Sequence, residues 1–126
     1  MDDFYRENIL DHYRNPRNFG LLNKYDATWQ ENNSFCGDKI GIQVKLKAKD
    51  RIIEKISFYG EGCAISQAAA SMLTEKVKGK SLREAGLLRV KDITNLLGVQ
   101  LSPLRLKCAL LPWEVLQKTL TLAIKK

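Results

Sequence analysis

Histidine is nearly missing from this chain: His12 is the only one among 126 residues. A lone histidine in a helical stretch is more often solvated or hydrogen-bonded than a ligand, and His12 is assigned no metal role. It lies far in sequence from every cysteine, and no oxyanion motif is visible, so a cysteine-nucleophile enzyme is the weakest reading. Cysteine is scarce too, with Cys36, Cys63 and Cys108 only. An odd number excludes a complete intramolecular disulfide set and favours free thiols, metal binding or redox chemistry. No apolar run approaches the roughly 18 residues of a membrane span. The start, Met1-Asp2-Asp3, is acidic and unlike a signal peptide. No membrane association and a cytoplasmic location are therefore expected. Repeats, low-complexity tracts and long blocks of one charge are also lacking. The formal net charge is +7, yet no DNA- or RNA-binding signature accompanies it, and nucleic acid is not an expected partner.

The chain is long enough to bury a core without disulfides, and a single domain over residues 1–126 is expected. Hydrophobic residues make up 44% and charged residues 28%, an ordinary soluble balance.

Everything is arranged around Tyr59-Gly60-Glu61-Gly62-Cys63-Ala64-Ile65-Ser66. This reads as a strand end, a glycine turn and the start of a helix rich in small residues. Two glycines allow positive φ, and Cys63 falls at or near a helix N-terminus, where free amides and the dipole favour a thiolate. Before it, Asp3 to Arg14 reads as a helix capped by Asp2 or Asp3, with Tyr5, Ile9 and Tyr13 on one face. Asn15-Pro16 stops it. Tyr25 to Gln30 reads as an edge strand and Glu31 to Ser34 as a loop. Lys39 to Ala48 alternates, with Ile40, Ile42, Val44 and Leu46 against Gly41, Gln43, Lys45 and Lys47: one buried face and one wet face. Lys49-Asp50 turns the chain, and Ile52 to Tyr59 returns antiparallel with Ile56 and Phe58 inward. This hairpin puts Cys36 and Cys63 at the same end. A helix follows from Ala64 to Lys78, stopped by Gly79. Ser81 with Glu84 forms a capping box, and Asp92 is read as the cap of a helix through Leu97. The last helix runs from Ser102-Pro103 to about Ile124, with Trp113, Leu116, Leu120 and Ile124 on one face. Pro112 cannot donate to the carbonyl of Cys108, so loosening is expected there.

Cys36 and Asp38 flank Gly37, and on extended backbone their side chains point the same way. With Cys63 and Cys108 they make three sulfurs and one carboxylate. This set suits tetrahedral zinc or iron–sulfur assembly, and metal or Lys107 would hold the thiols as thiolates. The spacing alone also allows three buried cysteines acting as small hydrophobes, with Asp38 capping a turn.

Five stretches, in order, carry a resemblance: Asp11-His12-Tyr13-Arg14-Asn15-Pro16-Arg17-Asn18; Cys36-Gly37-Asp38; Gly60-Glu61-Gly62-Cys63-Ala64-Ile65-Ser66; Val77-Lys78-Gly79-Lys80-Ser81-Leu82; and Lys107-Cys108-Ala109. Almost the whole chain resembles the U-type iron–sulfur cluster assembly scaffolds, the IscU/SufU/NifU N-terminal family. The resemblance implies an α+β fold, a small three-stranded antiparallel sheet with helices packed on one face. It implies that Cys36, Asp38, Cys63 and Cys108 hold zinc or a transient [2Fe–2S] cluster, with Cys36 and Cys108 as the candidate persulfide acceptors. The implied role is a scaffold or sulfur carrier rather than an enzyme. Its implied partners are a cysteine desulfurase, apo iron–sulfur proteins and a second copy of the chain around a shared cluster. Lys107 stands where the IscU branch has histidine, as in SufU, whose members look like zinc-bound sulfur acceptors. That leans the first acceptor toward Cys36. Yet the stretch from Cys63 to Cys108 is as short as in IscU. Leu101-Ser102-Pro103-Leu104-Arg105 keeps only part of the IscU Leu-Pro-Pro-Val-Lys motif, so an Hsp70-type chaperone is not an implied partner. A zinc-stabilised binding module without transfer activity is the rival from another class.

Overall fold

Alternation at Ile40, Ile42 and Val44 builds the central strand. The computed structural model describes residues 3–33, 37–47 and 51–125. Within them β2 spans Asp38–Leu46, flanked by β1 (Ala27–Asn33) and β3 (Ile53–Glu61) in a three-stranded antiparallel sheet of order β1-β2-β3. Ile42 lies opposite Phe58 and Val44 opposite Ile56, and all four are buried. Cross-strand pairs of branched and aromatic side chains make this one continuous apolar layer. Two helices pack on it. Helix α2 (Ala64–Val77) contributes Ala70, Leu73 and Val77, and α5 (Pro103–Ile124) contributes Leu111, Val115, Leu116 and Leu120. The run of small residues Ala68, Ala69, Ala70 and Ser71 is buried, so α2 is crowded on several sides at once. The α+β arrangement implied by the resemblance is the observed one.

Several local expectations are corrected by tertiary contacts. β1 begins at Ala27, not Tyr25, and extends to Asn33 through the polar Glu31-Asn32-Asn33 stretch read as a loop. Its extent is set by its ladder with β2, where Asn33 pairs with Asp38, and not by its composition. The second face of β2 is not wet throughout. Gly41 lies under the Tyr59 ring, and Gln43 is buried with its Oε1 accepting the Leu22 N–H at 2.7 Å. In α4 (Val90–Leu97) Arg89 is the N-cap, and Asp92 sits three residues on, its carboxylate accepting the Arg89 N–H at 2.7 Å. On α5, Leu116 and Leu120 are buried as expected, but Ile124 is 54% exposed and Ala123 takes the inward place. A spacing of four drifts off a helix face that repeats every 3.6 residues. The same drift leaves Tyr13 exposed and turns His12 inward. Ser81 and Glu84 form the expected reciprocal capping box on α3 (Leu82–Gly86). Asp2 and the Lys49-Asp50 turn lie outside the described residues.

Helix α1 (Asp3–Arg14) is fixed by the motif at its end. His12 Nδ1 is 2.8 Å from Ser71 Oγ on α2, and the Arg17 amide donates to the same hydroxyl at 2.8 Å. Arg17 pairs with Asp11 at 2.7 Å. Asn18, at φ 63, accepts the Phe58 amide at 2.9 Å and donates to Thr74 Oγ1 at 3.3 Å. One short segment thus ties α1 to α2 and covers part of the β3 edge. The Gly79–Leu82 connector covers another part, bonding both backbone groups of Ile53.

Burial, followed by the nearby Arg17 charge, holds the His12 imidazole below its usual 6.5. The unfolded chain therefore binds a proton more readily than the native one just below that value, and stability rises with pH across this window. Native stability should be complete above the usual histidine value of 6.5 and fall as pH drops below it, and His12→Gln should flatten this dependence. Urea unfolding of both proteins on either side of that value checks it; an equally steep fall in the variant would show that His12 is not the source.

Candidate metal centre

Two chain turns and one helix deliver the site. β2 starts at Asp38, directly after Gly37 at φ 69. The ladder sets Lys39 opposite Glu61, which brings Asp38 alongside the chain leaving β3. Gly60 adopts φ 122, and a Cβ there would collide with the Lys39 carbonyl, so this turn requires glycine. Gly62 is a glycine for a different reason. Its φ is ordinary, but a Cβ would stand 2.9 Å from Asp38 Oδ1 and overlap Ser66 Oγ. The expectation of positive φ therefore holds at Gly60 and not at Gly62.

Cys63 is the N-cap of α2, as its sequence position predicts. Its backbone N–H donates to Asp38 Oδ1 at 2.9 Å, and its Sγ lies 3.9 Å from Asp38 Oδ2. The Ser66 hydroxyl donates to the Cys63 carbonyl at 3.1 Å and is 3.9 Å from Sγ. Cys108 reaches the same place from the second turn of α5. One ligand atom each from Asp38, Cys63 and Cys108 lie within 4.8 Å of one another. Ligands around tetrahedral zinc, with Zn–S near 2.3 Å, stand about 3.5–3.8 Å apart, so closure on an ion needs shifts of about 1 Å or less. Two thiols and a carboxylate are a donor set that fits zinc or iron. Asp38 is 1% exposed and Cys108 3%, whereas Cys63 is partly exposed, so the centre opens on the Cys63 side.

Of the four expected ligands, Asp38, Cys63 and Cys108 come together and Cys36 lies outside the described residues. Lys107, beside Cys108, is exposed. Helix α5 continues through Pro112, which has no N–H for the Cys108 carbonyl. Ser66 closes the organising stretch, but its sequence reading gives it no part in the site, where its hydroxyl stands by Cys63. Its signal was its place three residues after Cys63 at a helix start, a spacing that puts two side chains on one face.

The family model described as NifU-like N terminal domain matches residues 4–125. The chain is 40% identical to the zinc-dependent sulfurtransferase SufU of Bacillus subtilis, over 94% of this chain and 90% of that protein. It is also 40% identical to the iron–sulfur cluster assembly scaffold protein IscU of Aquifex aeolicus, over 96% of this chain and 74% of that one. The crystal structure of SufU from Fervidobacterium islandicum superposes with a TM-score of 0.79 at 26% identity, covering 90% of this chain and 94% of that one.

Gly62→Ala should push the Asp38 carboxylate off the Cys63 amide. A hydrogen bond to a charged group contributes about 1.5–3 kcal/mol, and that much stability should be lost. Zinc affinity, measured by chelator competition, should fall at least about tenfold, as for other disturbed supports of metal ligands. Wild-type values for both would show that Asp38 and Ser66 do not converge over Gly62.

Proposed function

The chain belongs to the NifU-like N-terminal family, and from that premise we propose that it is an iron–sulfur cluster assembly scaffold. It accepts sulfur from a cysteine desulfurase, binds iron or zinc, and passes a nascent [2Fe–2S] cluster to apoproteins. The observation that carries this reading is the convergence of Asp38, Cys63 and Cys108 at the junction of β2, α2 and α5. Cys36, two residues before Asp38, is the fourth ligand in this proposal. Bound zinc would be held by these four residues and would keep the thiols deprotonated.

Sulfur arrives by exchange. A thiolate of this chain attacks the outer sulfur of the desulfurase persulfide, a new S–S bond forms as the old one breaks, and the desulfurase cysteine leaves as thiolate. Cys36 and Cys108 are the candidate acceptors. Cys108 is 3% exposed within α5, which favours Cys36 as the first. Asp38, a harder and weaker ligand than a fourth thiolate, suits a centre that must release its cargo. The protein acts in this reading as a carrier and scaffold, on partners that are a desulfurase and apo iron–sulfur proteins. No helix among the described residues is long and apolar enough to cross a membrane. Lys107 favours a second reading, a zinc-dependent persulfide carrier of SufU type without cluster assembly.

Anaerobic incubation with iron, cysteine, a desulfurase and a reductant decides between them. A [2Fe–2S] charge-transfer spectrum that moves to an apo-ferredoxin supports the scaffold. Retained zinc with sulfur on Cys36 and no cluster supports the carrier, and zinc with neither supports the binding module. In the scaffold case Asp38→Ala should slow cluster transfer at least about tenfold, as expected for loss of a labile ligand. Unchanged transfer and metal release would remove Asp38 from that role.

A further inference from the structure

We propose that the end of the molecule remote from the metal centre is a docking surface for an acidic protein segment. Lys47, Arg51, Lys76, Lys78, Lys80, Arg83 and Lys125 are all exposed. Backbone bonds gather them. Ile53 donates to the Lys80 carbonyl, Leu82 to the Arg51 carbonyl and Lys47 to the Ile52 carbonyl. The Arg51 guanidinium donates to the carbonyls of Ala123 and Ile124, which brings Lys125 to the same end. Lys76 and Lys78 lie at the close of α2, whose fourteen residues separate them from Cys63 by about 20 Å.

The bland account is that these cations offset helix dipoles, since α2 and α5 both end here. Two helix C-termini amount to about half a negative charge each. Among the described residues Glu75, Glu84 and Asp26 are the acids alongside: Glu75 also faces Arg17, Asp26 accepts the Leu46 N–H next to Lys47, and Glu54 is taken up by Lys45. Seven cations against these leave an excess of roughly three charges, too many for helix ends to require. Among the described residues, none of the seven is in direct ion-pair contact, whereas Arg17, Lys45 and Lys118 are. Arg51 holds its place at φ 52, a backbone state unusual for a residue with a side chain.

The chemistry favours carboxylates on an extended segment over a nucleic acid. The helix that begins here, α3, has its first amides already bonded to Glu84, Arg51 and Ser81, so none of these is aimed outward at a phosphate. Of the exposed aromatic side chains, Phe4 and Tyr13 belong to α1, Phe19 to the connector and Trp29 to β1; Tyr25 alone stands next to the Leu46–Lys47 end of β2, since Asp26 bonds to Val44 and Leu46, and one ring offers successive bases no run of faces to stack on. Five of the seven cations are lysines, long point charges suited to a string of spaced carboxylates.

The probe is a labelled acidic peptide of about twelve Asp and Glu residues, followed by anisotropy from about 50 to about 200 mM salt. The triple variant Lys78→Glu, Lys80→Glu, Arg83→Glu is compared with Arg6→Glu, Arg14→Glu, Lys91→Glu, which changes net charge equally at other exposed positions. Thermal midpoints and zinc content establish that both variants fold. Loss of at least about tenfold in the first variant and less than about threefold in the second is the expected result. Equal weakening, no binding to wild type at low salt, or tighter binding to single-stranded RNA or to anionic vesicles would overturn the proposal. None of these readouts depends on cluster assembly.

Discussion

The bond from the Cys63 amide to the buried Asp38 carboxylate joins the first residue of β2 to the N-cap of α2. A carboxylate almost without solvent contact is costly unless its oxygens are engaged. Here one oxygen holds the helix start while the other stays near the Cys63 sulfur, at 3.9 Å. The same side chain therefore supports the fold and faces the chemistry. Gly60 and Gly62 are what let the two chains come this close, one by its backbone angle and the other by having no side chain.

The remainder of the architecture holds those two points in place. The sheet fixes the register that brings Asp38 beside the end of β3. Helix α5 crosses the same apolar layer and carries Cys108 to the third corner. Small side chains let α2 pack against α1 as well as the core, and the His12–Ser71–Arg17 contacts set that spacing. Stability and ligand geometry share one frame. Changes near Gly62 act on both, whereas charges at the far end of α2 are free of either duty.

Function in this arrangement rests on contrast among similar groups. Cys63 is held through its amide and its carbonyl and is partly open, which in the proposed scaffold would suit a permanent anchor. Cys108 is enclosed by α5 and its neighbours. In the proposed ligand set, a carboxylate in place of a further sulfur would bind soft metals less tightly, which suits cargo that must leave.

Much of this was legible in the chain itself. Alternation from Ile40 to Val44 specified β2, the Ser81–Glu84 spacing specified a cap, and the glycines around Glu61 announced a turn leading into a helix start at Cys63. These are local signals, because backbone sterics and side-chain periodicity act over a few residues. The motif from Asp11 to Asn18 was readable as a pattern, but its physical purpose was not, since its partners Ser71, Thr74 and Phe58 are remote in sequence. The polar end of β1, the burial of Gln43 and the inward turn of His12 likewise came from tertiary contacts. So did the meeting of Asp38, Cys63 and Cys108, and with it the role of Ser66 and the true reason for Gly62. Residue types and their order determined which donor groups this protein carries; only packing, which brings distant backbone within van der Waals reach, decided which of them meet.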